Sequence, residues 1–397
     1  MSFHNKIDEW IQEAEARPES ALTIVKLVAK RLRELTERNE ALLAENIALE
    51  NGTRVEEYRK RIAHLEYQLD LLKRRFHADE EDLRVEVTAR AGEASTTTSL
   101  LVYNAHGKFF RIELSDEMSE IGRIQGGFSA EMEPPRFLAV PSNGEVLLLF
   151  SSGRVSTCAV GSLPRVEAGG AWAWEQASMP DEPRAGELLA CVTPIASLPL
   201  ADFFLQISRR GYVKKTMTSM AQSILSNHYL GKGAMQKSDQ PFDLTLTRKT
   251  DRFAFVTYEG HLLGLDVDDL SYTVEGRIRL TATDYVVGSF LLRPDESLLC
   301  VTQAGKVIVR GQNDIEISKS PLAKGQPLIP PSRLGQGVRF MGAVAARVAR
   351  DADRIAVLDA EGRIRLHIAE SMRGAGTVEA QGLVLSIGRI PSEGGGS

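Results

Sequence analysis

The sequence predicts an all-β six-bladed propeller preceded by an α-helical coiled coil. Three observations predict it. A hairpin-like unit recurs six times after residue 98. A glycine marks each turn at near-even spacing. The first 96 residues carry a heptad pattern instead.

The recurring unit is a strand rich in Val, Ile, Leu or Phe, then two or three polar residues, then Gly, then a second strand that often opens with Lys or Arg. Its copies are Val102–Phe110, Leu149–Val155, Ile207–Lys214, Val256–Leu262, Val301–Val307 and Leu358–Ile364. Each reads as a β-hairpin whose Gly supplies the positive φ of a tight turn. The turn glycines are Gly107, Gly153, Gly211, Gly260, Gly305 and Gly362, separated by 46, 58, 49, 45 and 57 residues. Several strands per repeat at such a period is the pattern of propeller blades. A single small sheet cannot bury both of its faces, and radial stacking of blades does so. The expected propeller spans residues 99–390, behind a small polar linker at 91–98 and ahead of a flexible tail at 391–397 that ends Gly-Gly-Gly-Ser.

Residues 1–90 form the expected helical segment. Pro18 suits the first turn of a helix. A seam then follows through Leu32, Leu35, Asn39, Leu42, Asn46 and Leu49. Asn39 and Asn46 fall on the same line as Leu32, where a buried Asn favours one register and a two-stranded parallel state. The seam slips at Asn51-Gly52 and resumes through Ile62, Leu65 and Leu69. A parallel dimer with a local discontinuity and an antiparallel hairpin turning at Asn51-Gly52 both fit. The paired Asn residues favour the dimer.

Composition narrows the function. The chain is 43% hydrophobic and 25% charged. No apolar run reaches the roughly 20 residues of a membrane span. Cys158, Cys191 and Cys300 sit in apolar strand-like runs, as reduced thiols of a cytoplasmic protein do. No His stands at metal-ligand spacing, and no nucleophile–base pair or phosphate-binding loop is present. The expectation is no enzyme, no cofactor, no metal and no small-molecule substrate.

At the repeats the chain resembles the C-terminal domains of the DNA gyrase and topoisomerase IV A subunits. The runs Asp202–Thr216, Leu147–Val155 and Leu298–Val307 carry the likeness. The resemblance implies a six-bladed propeller with unusual strand connections, a β-pinwheel, and DNA held against a basic outer rim. Gyrase members also carry a basic glycine-rich loop. Of that loop only Gly231, Lys232 and Gly233 fit here, with related fragments at Ile124–Gly127 and Arg333–Gly337. His228 and Tyr229 beside it are candidates to stack or to touch phosphate. The catalytic region of those enzymes has no counterpart before the blades, where the predicted coiled coil stands.

A net charge of −5 is unusual for a nucleic-acid binder. The distribution matters more than the sum, because salt screens charges beyond roughly 8 Å. Residues 201–250 are net basic, with Arg209, Arg210, Lys214, Lys215, Lys232, Lys237, Arg248 and Lys249. Residues 301–350 are also basic, with Lys306, Arg310, Lys324, Arg333 and Arg339 among their cations. Residues 251–300 are acidic. These cations are the candidate phosphate contacts, along a partial arc broken by the acidic fourth repeat. The expected function is non-enzymatic, sequence-independent binding of double-stranded DNA, with bending or partial wrapping, by a nucleoid-associated cytoplasmic dimer. Two other readings stay open: a protein-interaction scaffold that kept the fold and lost DNA binding, and an accessory subunit of a topoisomerase.

Overall fold

The computed structural model describes residues 97–126, 133–174, 177, 181–330, 338–349 and 351–392, with Val25, Lys26, Val28, Ala29, Lys30, Leu32, Thr36 and Asn39. The chain divides into two compact units, Met1–Ala94 and Ser95–Ser397. In the first, the eight described positions are helical. The Thr36 hydroxyl donates to the Leu32 carbonyl at 2.9 Å, one helical turn back. Leu32 and Asn39, both on the predicted seam, are exposed. Leu35, Leu42, Asn46, Leu49, Ile62, Leu65 and Leu69 lie outside the described residues.

The second unit is nearly all β. Its strands in chain order are β1 (Thr98–Tyr103), β2 (Phe109–Glu113), β3 (Glu120–Ile124), β4 (Arg136–Pro141), β5 (Glu145–Phe150), β6 (Val155–Ala159), β7 (Ala171–Trp172) and β8 (Leu189–Pro194). Then come β9 (Phe203–Ser208), β10 (Tyr212–Met217), β11 (Pro241–Thr247), β12 (Arg252–Thr257), β13 (His261–Asp266), β14 (Glu275–Gly276) and β15 (Val286–Leu291). The last are β16 (Ser297–Thr302), β17 (Val307–Gly311), β18 (Gln326–Pro327), β19 (Phe340–Ala346), β20 (Arg354–Asp359), β21 (Arg363–Ile368) and β22 (Val384–Ile390). Two short helices, α1 (Ala221–Ser226) and α2 (Ala369–Ala375), follow β10 and β21.

Among the described residues these strands make six sheets, each built on one predicted hairpin. The six hairpins are β1–β2, β5–β6, β9–β10, β12–β13, β16–β17 and β20–β21. All six turn glycines have positive φ, between 74° and 90°. A buried polar side chain three residues before the glycine braces five of the turns. Asn104, Ser208, Thr257, Thr302 and Asp359 each accept a hydrogen bond from the N–H that follows the glycine. The second turn differs. Phe150 holds that position, and the Arg154 N–H goes to the Ser152 hydroxyl.

The first strand of each hairpin is flanked on its other side by a strand that returns later: β4, β8, β11, β15, β19 or β22. These six returning strands touch in cyclic order, and β22 touches β4. They line the axis of a closed ring. Backbones crowd there. A Cβ on Gly388 would stand 2.2 Å from the Phe137 Cβ.

Successive residues of the first hairpin strands serve opposite blades. Leu100 and Val102 pack with Ala356 and Leu358 of the sixth blade. Leu101 and Tyr103 pack with Val146, Leu148 and Phe150 of the second. The same division makes six inter-blade cores. A strand buried on both faces reads as a continuous apolar run, and β5 (Glu-Val-Leu-Leu-Leu-Phe) is such a run.

The blades also interlock. After each hairpin the chain crosses to the preceding blade and pairs along its outer edge before returning to the axis. Thus β14 adds to β10, β18 to β13 and β3 to β21. The segments around Arg165, Tyr229 and Thr377 make the same crossing as single bridges. The crossing chain lies directly on the turn glycine beneath it. A Cβ on Gly362 would meet the Ile124 carbonyl oxygen at 2.2 Å, and one on Gly153 would meet the Gly231 carbonyl carbon at 2.6 Å.

Gly362 therefore serves a left-handed turn and a close approach together. Gly362→Ala is expected to lower stability by more than ~2 kcal/mol. Gly374→Ala, in α2 with open space around it, is expected to be neutral or to stabilise by ~0.5–1 kcal/mol. Urea melts followed by circular dichroism separate the two.

Candidate nucleic-acid interface

The outer edge of each blade is the crossing segment, so charge on these segments is what a polymer running round the ring would meet. Each of the six, or for Arg373 the helix α2 that leads into it, carries a solvent-exposed cation: Arg165, Lys232, Arg279, Lys324, Arg373 and Arg123, on blades one to six in turn. Arg165 pairs with Glu113 at 3.0 Å. Arg123 donates to the Glu361 carbonyl at 2.8 Å. Among the described residues the other four have no carboxylate at ion-pair distance. They sit on consecutive blades, two to five.

The glycine-rich fragment Gly231-Lys232-Gly233 is the crossing onto the second blade. Gly231 and Gly233 have φ of 91° and 60°. Gly231 packs on the Gly153 turn, and a Cβ on Gly233 would stand 2.9 Å from Gln206. Its glycines thus serve the crossing, and Lys232 between them is exposed.

The structure sorts the other sequence-predicted cations into three groups. Lys237, Arg248, Lys249, Lys306 and Lys324 are exposed. Of these, Lys249 is matched with Asp268 at 3.6 Å. Lys214, Arg310 and Arg339 are half-buried, with Arg310 donating to the Leu328 carbonyl and Arg339 to the Val338 carbonyl. Arg210 is tied to the carbonyls of Asp284 and Thr281. Arg333 lies outside the described residues.

Two predicted contacts point inward. Arg209 lines the axial cavity of about 510 Å³, where it bonds the Glu133 carboxylate and lies 4.9 Å from the Tyr285 ring. Burial pushes Glu133 up, but Arg209 and Arg136 outweigh it and hold the carboxyl below its usual range. Lys215 is only 3% exposed. Its ammonium donates to the carbonyls of Val267 and Asp268 at 3.2 and 2.9 Å, and lies 5.0 Å from the Phe203 ring. Burial pulls its pKa down. Neither cation is available to a phosphate: Arg209, in the turn after β9, is taken by Glu133, and Lys215 is turned inward because side chains alternate in direction along β10.

Arg154, opening β6, is also buried. Its guanidinium grips Glu187 and Asp181 and lies 3.7 Å from the Phe150 ring. Burial raises the Glu187 pKa, but bonds from Arg154, the Arg184 N–H and the Ser152 hydroxyl win and hold it at about 2. This cluster takes over the bracing that a single polar side chain gives the other turns. Trp172 and Trp174 pack against Phe110 in the core between blades six and one. Cys158, Cys191 and Cys300 are buried free thiols whose pKa values burial raises. Among the described residues no helix is long and apolar enough to cross a membrane.

The crossing cations Arg123, Arg165, Arg279 and Arg373 escaped the sequence reading. A positional signal exists for them. Each of the six follows its hairpin glycine by 11 to 21 residues.

Lys215→Glu sets a carboxylate against two carbonyl oxygens and is expected to cost about 3–5 kcal/mol. Lys214→Glu, one residue away on the opposite face, should stay within about 0.5 kcal/mol of the parent. Denaturant melts compare them. Glu187 has a depressed folded-state pKa, so its contribution is full above the ordinary value of 4.5 and is lost as pH falls through about 2. The stability gap between the parent and Glu187→Gln should therefore be constant above roughly pH 5.5 and shrink steadily below pH 4.5.

No family model and no curated protein matches the chain. Solved structures do. The C-terminal domain of DNA gyrase A is 12% identical, with 74% of this chain and 99% of that one covered at a TM-score of 0.52. The C-terminal domain of DNA topoisomerase IV is 19% identical over 76% and 95%, with a TM-score of 0.49. The E. coli ParC C-terminal domain is 11% identical over 74% and 99%, with a TM-score of 0.33. The overlay with the gyrase A domain carries the comparison, and it agrees with the six interlocked sheets described above: this chain has the fold of the DNA gyrase A C-terminal domain.

Proposed function

We propose that the ring binds double-stranded DNA along an arc of its outer edge, without sequence preference and without catalysis. One observation carries the reading: Lys232, Arg279, Lys324 and Arg373 form a run of exposed cations on four consecutive blades, with no carboxylate partner among the described residues. Lysine and arginine ammonium and guanidinium groups neutralise phosphates and release counterions, and they fix register without reading bases. The acidic fourth repeat leaves this arc intact, since Asp268 and Asp269 face Lys249 and Lys319 at 3.6 and 3.9 Å. Such exposed pairs are worth at most about 1 kcal/mol, so they also leave both lysines free to exchange partners. Arg165 and Arg123 close the circuit more weakly because each is already engaged.

Dimerisation through the N-terminal seam belongs to the same proposal. Two rings on one dimer would convert a second weak contact into an intramolecular one. The protein would then act in the cytoplasm on the nucleoid. A topoisomerase partner adds nothing that this arc requires.

The test is a duplex titration at two salt concentrations. The parent should bind several unrelated sequences alike, with affinity falling steeply as salt rises. The triple variant Lys232→Glu, Lys324→Glu, Arg373→Glu should reduce the salt slope by about 3. Parent-like binding by the triple variant would remove the rim from consideration. For the dimer, sedimentation should give twice the 43.6 kDa chain mass.

A further inference from the structure

The six crossing segments share a task but not a chemistry. Among the described residues two of them carry an exposed tyrosine, Tyr272 on the third blade and Tyr229 on the second. The Tyr272 ring is already engaged, 6.0 Å from Phe203 and 4.9 Å from the Lys215 ammonium, which leaves Tyr229 as the candidate. Tyr229 is 58% exposed, while the next residue, Leu230, is buried. The backbone under it is fixed at three points. The Tyr229 N–H donates to the Ile224 carbonyl at 3.1 Å. The Leu230 N–H donates to the Gly153 carbonyl at 3.0 Å. The His228 carbonyl accepts from the Val155 N–H at 3.1 Å. His228 itself holds a left-handed φ of 51°, a costly conformation outside glycine that the surrounding bonds enforce.

A ring on so firm a mount could have been folded into the adjacent apolar core, as Leu230 is, yet it stands in water. Its neighbours are cations. Lys232 follows three residues on and is exposed. The Lys214 ammonium lies 3.7 Å from where a Cβ on Gly231 would be. An exposed aromatic ring on a crossing segment that also carries Lys232 and passes beside Lys214 matches nucleic acid chemically. The cations take phosphates, and the ring takes the π-face of a base.

Resting on the DNA-binding reading, we propose that Tyr229 is a base-contacting wedge: it enters a flexible base-pair step where the duplex bends over the second blade, and partly unstacks it. Smooth bending of a short duplex is costly, and a wedge at a deformable step concentrates the bend where the DNA yields most easily. The ring then adds a contact that phosphate binding alone does not provide. It also gives an otherwise sequence-neutral protein a bias toward deformable steps.

The experiment uses the full chain and duplexes carrying one 2-aminopurine within a TA step. Parent protein should raise the probe's fluorescence on binding. Tyr229→Ala should abolish that rise and weaken binding on the order of tenfold, with an unchanged salt slope and an unchanged melting temperature. Tyr229→Phe should keep both the rise and the affinity. Tyr229→Ala that binds and brightens the probe like the parent overturns the wedge and leaves the phosphate arc standing. Parent protein that fails to bind any duplex at low salt overturns the arc and the wedge together.

Discussion

A three- or four-stranded sheet whose two faces are both apolar has nowhere to put the second face except against a copy of itself. That constraint governs the whole second unit. Each central strand divides its side chains between two neighbours, as Leu100 and Leu101 do. The series of cores has no terminal member only if the sixth blade meets the first, and Ile121 and Ile124 packing with Ile364 and Leu366 is that meeting. The crossing segments supply the second bond between blades. They cover part of the outer edge of each sheet, whose free N–H and C=O groups would otherwise face other chains.

The same crossings connect fold to surface chemistry. A segment paired at the outermost position has one face against the blade and one toward solvent. Side chains on the solvent face are carried at a radius set by the sheet and an azimuth set by the blade. Cations there are spaced by architecture rather than by sequence neighbourhood. This is how a chain with net charge −5 still sets a cation on every blade. Many of its carboxylates are used elsewhere, in buried pairs such as Arg154–Glu187 and Arg347–Asp353, and in the turn brace of Asp359.

The hairpins were legible because their determinants are local. A glycine with positive φ, a polar brace three residues before it and an apolar run on one side are all readable within ten residues. The crossings were not. Strands such as β7, β14 and β18 are two residues long and owe their extended form to a partner about 50 to 65 residues away, or about 240 for β3. Basic clusters were misread for a related reason. Lys214 and Lys215 are adjacent in sequence, but β10 sends them to opposite faces, one toward the edge and one into a cage of carbonyls. Where both faces of a strand are covered, hydrophobic alternation gives no register, and nothing local says which of two neighbouring cations is free. In the second blade, Phe150 in place of a polar brace was the visible sign that Arg154 had been drawn inward.

The pairing of β3 with β21 has a consequence for synthesis. Gly122 of β3 waits for Ile364, made some 240 residues later. At about 5–20 residues per second, β3 leaves the ribosome on the order of ten to fifty seconds before its partner exists. Through that interval the nascent chain exposes a β3 without its antiparallel partner and one unclosed hydrophobic seam, the face of the first blade that the sixth will cover. Late contacts between distant parts of a chain slow folding, so the last step of assembly is closure, and the vulnerable species in the cell is the open arc.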